Sequence, residues 1–295
     1  MNNFSWKISD GTLVISGMGA MPDYKYEFLS KCTTAPWAFC QRAITAVVIE
    51  NGITTIGSYA FSECKNLTSV IISESVTSIK KNAFLNCSSL KSVIIPDSVT
   101  SIEDYAFACC PNLTSIQIPN SVIYIGKTAF DSCYRLTSIT IPDSVISIRE
   151  FTFAGCISLS SIIIPDSVTS IEKHAFLNCN SLTSIIIPHS VTSIGEGAFE
   201  KCNRLTSITV LNPATQIHGK AFVGCKRLTS IPLGGSIIPN EMADRPITNF
   251  SKDEDDDDDD WDEDKDDDDD DEDDWDKDKD DDDGEDSFFK ELGFE

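Results

Sequence analysis

The chain has 295 residues, with 48 acidic against 23 basic side chains and a formal net charge of −25. That imbalance sits at one end: residues 1–250 carry 18 Asp and Glu against 18 Lys and Arg, while residues 251–295 carry 30 acidic residues and five Lys. A neutral body excludes nucleic acid and anionic membrane surfaces as its partners, because both demand a basic patch.

The amino terminus, MNNFSWKISDGTLVISG, has no basic segment followed by an apolar run, so no secretory signal is expected. A cytoplasmic location or leaderless export follows from that reading. Nowhere do the apolar residues run on long enough to cross a membrane as a helix. Two alternating stretches flank Asp10-Gly11, a pair suited to a two-residue hairpin turn. Residues 1–40 are therefore read as an amino-terminal cap.

From there the chain repeats itself. Phe recurs at 39, 61, 84, 107, 130, 153, 176, 199 and 222, with a first interval of 22 residues and 23 thereafter. Three residues after each Phe from Phe61 onward stands a Cys: Cys64, Cys87, Cys110, Cys133, Cys156, Cys179, Cys202 and Cys225. A Leu follows six residues after the Phe, and pairs of aliphatics follow that. Within one unit, Leu182, Ile185 and Ile187 alternate as one face of a strand. Pro188 ends that strand because it has no N–H to donate. Val191 to Ile194 reads as a second short extended piece, and Ala198, Phe199 and Cys202 fall at spacing that fits one helical turn. A single 23-residue unit buries too little to fold alone, so stability must belong to the stacked array.

The expected architecture is thus a β-rich α/β repeat solenoid, a leucine-rich-repeat right-handed superhelix with 23-residue units over 41–233. The unit Leu159–Asn180, LSSIIIPDSVTSIEKHAFLNCN, resembles the leucine-rich repeat of the BspA-like surface-antigen family. The opening Trp6–Met21 and the later Ala35-Pro36-Trp37 resemble that family's amino-terminal cap. The resemblance implies a non-enzymatic cell-adhesion role, binding a host or matrix protein, and a location at the cell surface or outside the cell.

Residues 234–250 break the repeat and are expected to close the other end. From 251 to 295 the Asp runs cannot bury apolar area and repel one another, which predicts a disordered tail. No EF-hand fits around Gly284, because Lys279 and Lys290 stand where the loop needs carboxylates. Weak, diffuse attraction of divalent cations remains. Trp261, Trp275, Phe288, Phe289, Leu292 and Phe294 are candidate anchors by which the tail could dock basic proteins, which makes an intracellular scaffold the alternative to an adhesion module.

Stacked units place the Cys of successive coils in a line about 4.8 Å apart. A line cannot converge tetrahedrally on a metal, so the column reads as a structural ladder of small buried hydrophobes. Cys109 falls off the column and is expected to point outward; with Cys32 and Cys40 in the cap it completes the candidates for reactive thiols. His174, His189 and His218 occupy three different repeat positions, which excludes a shared triad or metal cluster. No phosphate loop or nucleophile elbow occurs, so neither catalysis nor a cofactor is expected. The candidate partner-binding surface is the outward column between the inward aliphatics: Ile71, Ile94, Gln117, Thr140, Ile163, Ile186 and Thr209. Beside it runs a Ser column from Ser69 to Ser207, with a mostly Thr column beyond. An Ile stripe on the wet side of a strand, bordered by hydroxyls, suits a protein or peptide.

Overall fold

The computed structural model describes residues 3–27, 32–233 and 236–239. The chain opens with strands β1 (Asn3–Ser9) and β2 (Thr12–Ala20), paired antiparallel around Asp10 and Gly11. Both turn residues have positive φ, 50° and 75°, as the two-residue turn that matches strand twist requires. Gly11 also lies so close to Thr45 that a Cβ could not be fitted.

A short antiparallel pair, β3 (Tyr26–Glu27) and β4 (Cys32–Thr33), precedes a 3-10 helix over Ala38–Ala43. Two ladders of parallel strands then stack coil upon coil, each hydrogen-bonded in segments and not throughout. The first holds β5 (Ala46–Ile49), β7 (Ser69–Ile72), β9 (Ser92–Ile94), β11 (Ser115–Gln117), β13 (Ser138–Thr140), β15 (Ser161–Ile163), β17 (Ser184–Ile187), β19 (Ser207–Val210) and β21 (Ser230–Leu233). Between them in sequence, the second holds β6 (Ile53–Ile56), β8 (Ser78–Ile79), β10 (Ser101–Ile102), β12 (Tyr124–Ile125), β14 (Ser147–Ile148), β16 (Ser170–Ile171), β18 (Ser193–Ile194) and β20 (Gln216–Ile217). Register follows the repeat: Ser115 lies against Ser92, Ser161 against Ser138 and Ser207 against Ser184. Strand β2 pairs with both β5 and β6, so one cap strand covers the open edge of both ladders. At the far end β22 (Ser236–Pro239) folds back antiparallel on β21.

The third side of each coil departs from the sequence expectation. Among the described residues no α-helix forms, and Ala198, Phe199 and Cys202 lie in a run of turns. The residues two before and two after each Phe from Phe61 to Phe199 have positive φ, as at Tyr59 and Glu63 or Phe151 and Gly155. A helix would direct every N–H along its own axis. Here the alternation turns N–H groups toward the next coil instead: Tyr59 donates to the carbonyl of Lys81, Phe61 to Ala83 and Glu63 to Leu85. The remaining N–H groups close local turns, as from Cys64 to the carbonyl of Phe61 at 3.2 Å. Left-handed conformations at non-glycine residues cost about 1–2 kcal/mol each. Satisfying backbone groups between coils offsets that cost, since an orphaned buried donor costs about 1–3 kcal/mol.

The core is one continuous column. Rings from Phe61 to Phe222 stack at centroid distances of 5.1 to 5.8 Å. Phe39 does not begin that column, contrary to the sequence reading, but lies 82% exposed. Trp37 takes its place, stacked on Phe61 at 5.6 Å and donating its indole N–H to the carbonyl of Ala60 at 2.7 Å. Trp37 immediately precedes the 3-10 helix and Phe39 lies in its first turn; of the two, the larger ring faces inward and seals the end. Trp6 closes over Trp37 edge-on at 6.1 Å.

Candidate binding surface

Strand alternation decides what the first ladder shows to solvent. In β7, Val70 and Ile72 are buried while Ser69 and Ile71 face out. Repeated in every coil, this places Ile71, Ile94, Ile163 and Ile186 in one outward column at 62, 69, 78 and 62% exposure. Gln117, Thr140 and Thr209 complete the column and are also exposed. A shallow hollow of about 600 Å³ lies beside Ile71, lined also by Ile49, Glu50 and Glu74. The Ser column is exposed, whereas the Thr hydroxyls beyond it are engaged: Thr68, Thr114 and Thr206 donate to the carbonyls of Thr45, Lys91 and Thr183 in the preceding coil. Those hydroxyls fasten coils together instead of facing a ligand.

The borders of this face carry opposite charge, a feature the neutral total conceals. Where the chain runs into the strands, the exposed charges are Arg42, Lys65, Lys91, Arg135, Arg204, Lys226 and Arg227. Where it leaves them, they are Glu50, Glu74, Asp97, Asp143 and Asp166. Each acidic residue except Glu50 sits in the turn that the repeat writes as Pro-Asp-Ser or Ser-Glu-Ser. Aligning the units and reading charge by repeat position would have found both borders in the sequence.

The model of the BspA-type leucine-rich repeat region matches residues 34–145 and 124–242, in six copies. The chain belongs to the BspA-type leucine-rich repeat family. A leucine-rich repeat protein from Bacteroides ovatus is similar to it at 27% identity and a TM-score of 0.57, over 78% of this chain and 70% of that one. A second, from Eubacterium ventriosum, is similar at 25% identity and a TM-score of 0.46, over 78% and 76% of the two chains. Among curated proteins none matches this chain. The repeat fold is of the kind used in protein-binding or surface proteins, and such proteins are typically not enzymes. No helix among the described residues is long and apolar enough to cross a membrane.

In this BspA-type solenoid the eight column cysteines are all buried. Each thiol from Cys87 to Cys225 lies within hydrogen-bonding reach of the carbonyl of a Phe in the preceding coil, as Cys87 to Phe61 at 3.1 Å and Cys156 to Phe130 at 3.3 Å. Burial pushes Cys64 up to about 12 and lifts Cys87, Cys133 and Cys156 well above the ordinary thiol range. Cys109 differs from its sequence reading: it occupies the left-handed position after Phe107, and burial pushes it up to about 12 as well. Its N–H donates to the carbonyl of Asp131 in the next coil at 2.8 Å, which holds it against that coil. Thiolate is the reactive form, so of the three half-buried thiols, Cys32, Cys40 and Cys109, the last is set back by its raised pKa and the first two are the expected reactive ones. Titration of native protein with a disulfide reagent should count these two, rising to all eleven in denaturant. Eight or more reacting in native protein would contradict the buried column.

The histidines are dispersed. His174 stacks on Phe151 at 4.9 Å, His218 accepts the N–H of Lys220 at 3.2 Å, and His189 is exposed in a turn beside the acidic border. Among the described residues no group of three His, Cys, Asp or Glu could hold a metal ion. Asp131 is the conspicuous buried ionisable group. It lies 7% exposed, accepts a hydrogen bond from the Ser132 hydroxyl at 3.0 Å, and burial raises its carboxyl to about 7. Trp261, Trp275, Phe288, Phe289, Leu292 and Phe294, with the rest of the tail, lie outside the described residues.

Proposed function

We propose that this chain is a non-enzymatic adhesion or binding module that presents the sheet face of its first ladder to a protein partner. The exposed column of Ile71, Ile94, Ile163 and Ile186 carries this reading. Apolar side chains left mostly exposed contribute little to their own fold, and two pairs of Ile separated by Gln117 and Thr140, with a polar rim, have the composition of a protein interface. Within this reading residues 1–40 and 234–250 act as caps of a binding solenoid over 41–233.

The acidic residues 251–295 favour a second, separable term: capture of basic proteins, with Trp261, Trp275, Phe288, Phe289, Leu292 and Phe294 as anchors and weak diffuse attraction of divalent cations. Attraction between exposed charges is screened beyond about 8 Å at physiological ionic strength, whereas apolar burial is not. Binding of the full chain to immobilised extracellular-matrix proteins, and separately to a basic globular protein such as lysozyme, distinguishes the two terms. Ile163→Asp with Ile186→Asp should weaken matrix binding at least tenfold and leave lysozyme binding intact. Truncation after Phe250 should do the reverse, and the lysozyme term should fall steeply with salt. Matrix binding that survives the double substitution would overturn the sheet-face reading. Surface labelling of intact cells separates adhesion from an intracellular scaffold.

A further inference from the structure

The face described above has a chemistry that narrows its occupant. Four of its strands are framed by a base on one side and an acid on the other: Arg42 and Glu50 around β5, Lys65 and Glu74 around β7, Lys91 and Asp97 around β9, and Arg135 and Asp143 around β13. Among the described residues, the cationic border from Lys65 to Arg227 carries no exposed acid, and the anionic border from Glu74 to Asp166 no Lys or Arg. Within the chain, Lys65 also reaches Glu63 at 3.0 Å, which leaves its side chain more than half exposed. An occupant that fits must offer an apolar row flanked by acid on one side and base on the other, repeated at the spacing of the coils. A second copy of this chain does so by construction.

We propose that the first-ladder face is covered by the same face of a second copy, related by a twofold axis running along the solenoid. This rests on the reading of the face as a binding surface and names its partner. Such an axis keeps coil opposite coil and reverses strand direction, so the Ile column lies on the partner's Ile column. The cationic border of each copy then lies over the anionic border of the other. The four framed strands each supply two opposite-charge pairs, because a twofold interface repeats every contact. The competing axis, along the strands, would also match the apolar pattern, setting Ile71 over Ile186 and Ile94 over Ile163. It would however lay like border over like border, setting Arg42 over Arg204 and Asp97 over Asp166, and like charges across an interface cost affinity. Charge therefore selects the first arrangement.

Size sets the strength. Nine strands at about 4.8 Å spacing, each with its flanking residues spanning some five positions of which alternate ones face out, give a patch of roughly 40 by 16 Å, on the order of 600 Å² in projection. Stable interfaces bury about 800 Å² per partner, so the dimer belongs at the weak end, in the micromolar range.

Sedimentation of the full-length chain across the micromolar range tests this. The expected result is a reversible monomer–dimer equilibrium, abolished by Ile163→Asp with Ile186→Asp, whose exposed positions leave folding unchanged by circular dichroism. Arg135→Glu should weaken the dimer about tenfold or more, and adding Asp143→Arg in the same chain should restore it, because the two residues meet across the twofold axis. A chain that stays monomeric at every concentration overturns the proposal, as does a dimer indifferent to the Ile substitutions or a charge swap without rescue. If the wild-type chain is monomeric while the same Ile substitutions abolish matrix binding, the face takes a foreign protein and only the dimer is wrong. If matrix binding also survives them, the reading of the face itself has failed.

Discussion

Phe153→Ala should destabilise the protein by about 3–5 kcal/mol, the usual cost of removing a buried ring whose site cannot collapse. The ring is held on both sides, 5.7 Å from Phe130 and 5.5 Å from Phe176, and lies 1% exposed. Each coil touches only its neighbours, so the damage should be local. Hydrogen exchange should quicken most in the coils of Phe130 and Phe176 and least near Trp37. Uniform quickening over 41–233 would contradict the picture of a one-dimensional stack. Chemical denaturation of the same variant supplies the magnitude.

Asp131→Ala should have the opposite effect at neutral pH and above. Burial raises this carboxyl from 3.8 to about 7. The folded state thus holds a proton that the unfolded state has lost between those values, and stability falls as pH rises from about 4 to about 7. At about 1.4 kcal/mol per unit the loss is on the order of 4 kcal/mol. The equivalent positions in the neighbouring coils are Ala108 and Ala154, both buried, so Ala fits the site. At pH 8 the variant should be more stable by on the order of 2–4 kcal/mol; at pH 4 it should be slightly less stable, having lost the hydrogen bond to Ser132, worth about 1 kcal/mol. Carboxylates of the acidic segment are common to both proteins and cancel in the difference. Thermal denaturation of the pair from pH 4 to 8 checks it: parallel stability curves would mean that Asp131 titrates as if exposed.

Much of this fold is legible because a coil writes its inward residues at fixed positions. Strand alternation in Leu182–Ile187, the stop at Pro188 and the Asp10-Gly11 turn all follow from side-chain period and backbone donors. The third side was not legible. Spacing that fits a helical turn fits equally a run of turns with residues such as Thr128, Phe151 and His174 in left-handed conformation, which none of them prefers alone. Only the neighbouring coil's carbonyls, which sequence spacing does not reveal, make those conformations favourable. The same geometry explains Cys109, whose place beside the column said nothing of the wall formed by the next coil. Phe39 was misplaced because the recurrence of Phe outweighed the larger ring two residues earlier. The charged borders went unseen because summing charge over the body erased the position at which each charge stands. For the surface itself, alternation identified the outward column, while the engagement of the Thr hydroxyls depends on inter-coil distances.

The most direct measurement places a single Asp, one at a time, at every strongly exposed Ile among the described residues and compares partner binding. On the first-ladder face these are Ile71, Ile94, Ile163 and Ile186; along the second ladder they are Ile123 and Ile146, at 61 and 65% exposure. All six are comparably exposed, so burying a charge is at issue in none of them and the fold should persist throughout. The account predicts that binding falls for the four and holds for the two. Equal loss at Ile123 and Ile146, or none at Ile163 and Ile186, would contradict it.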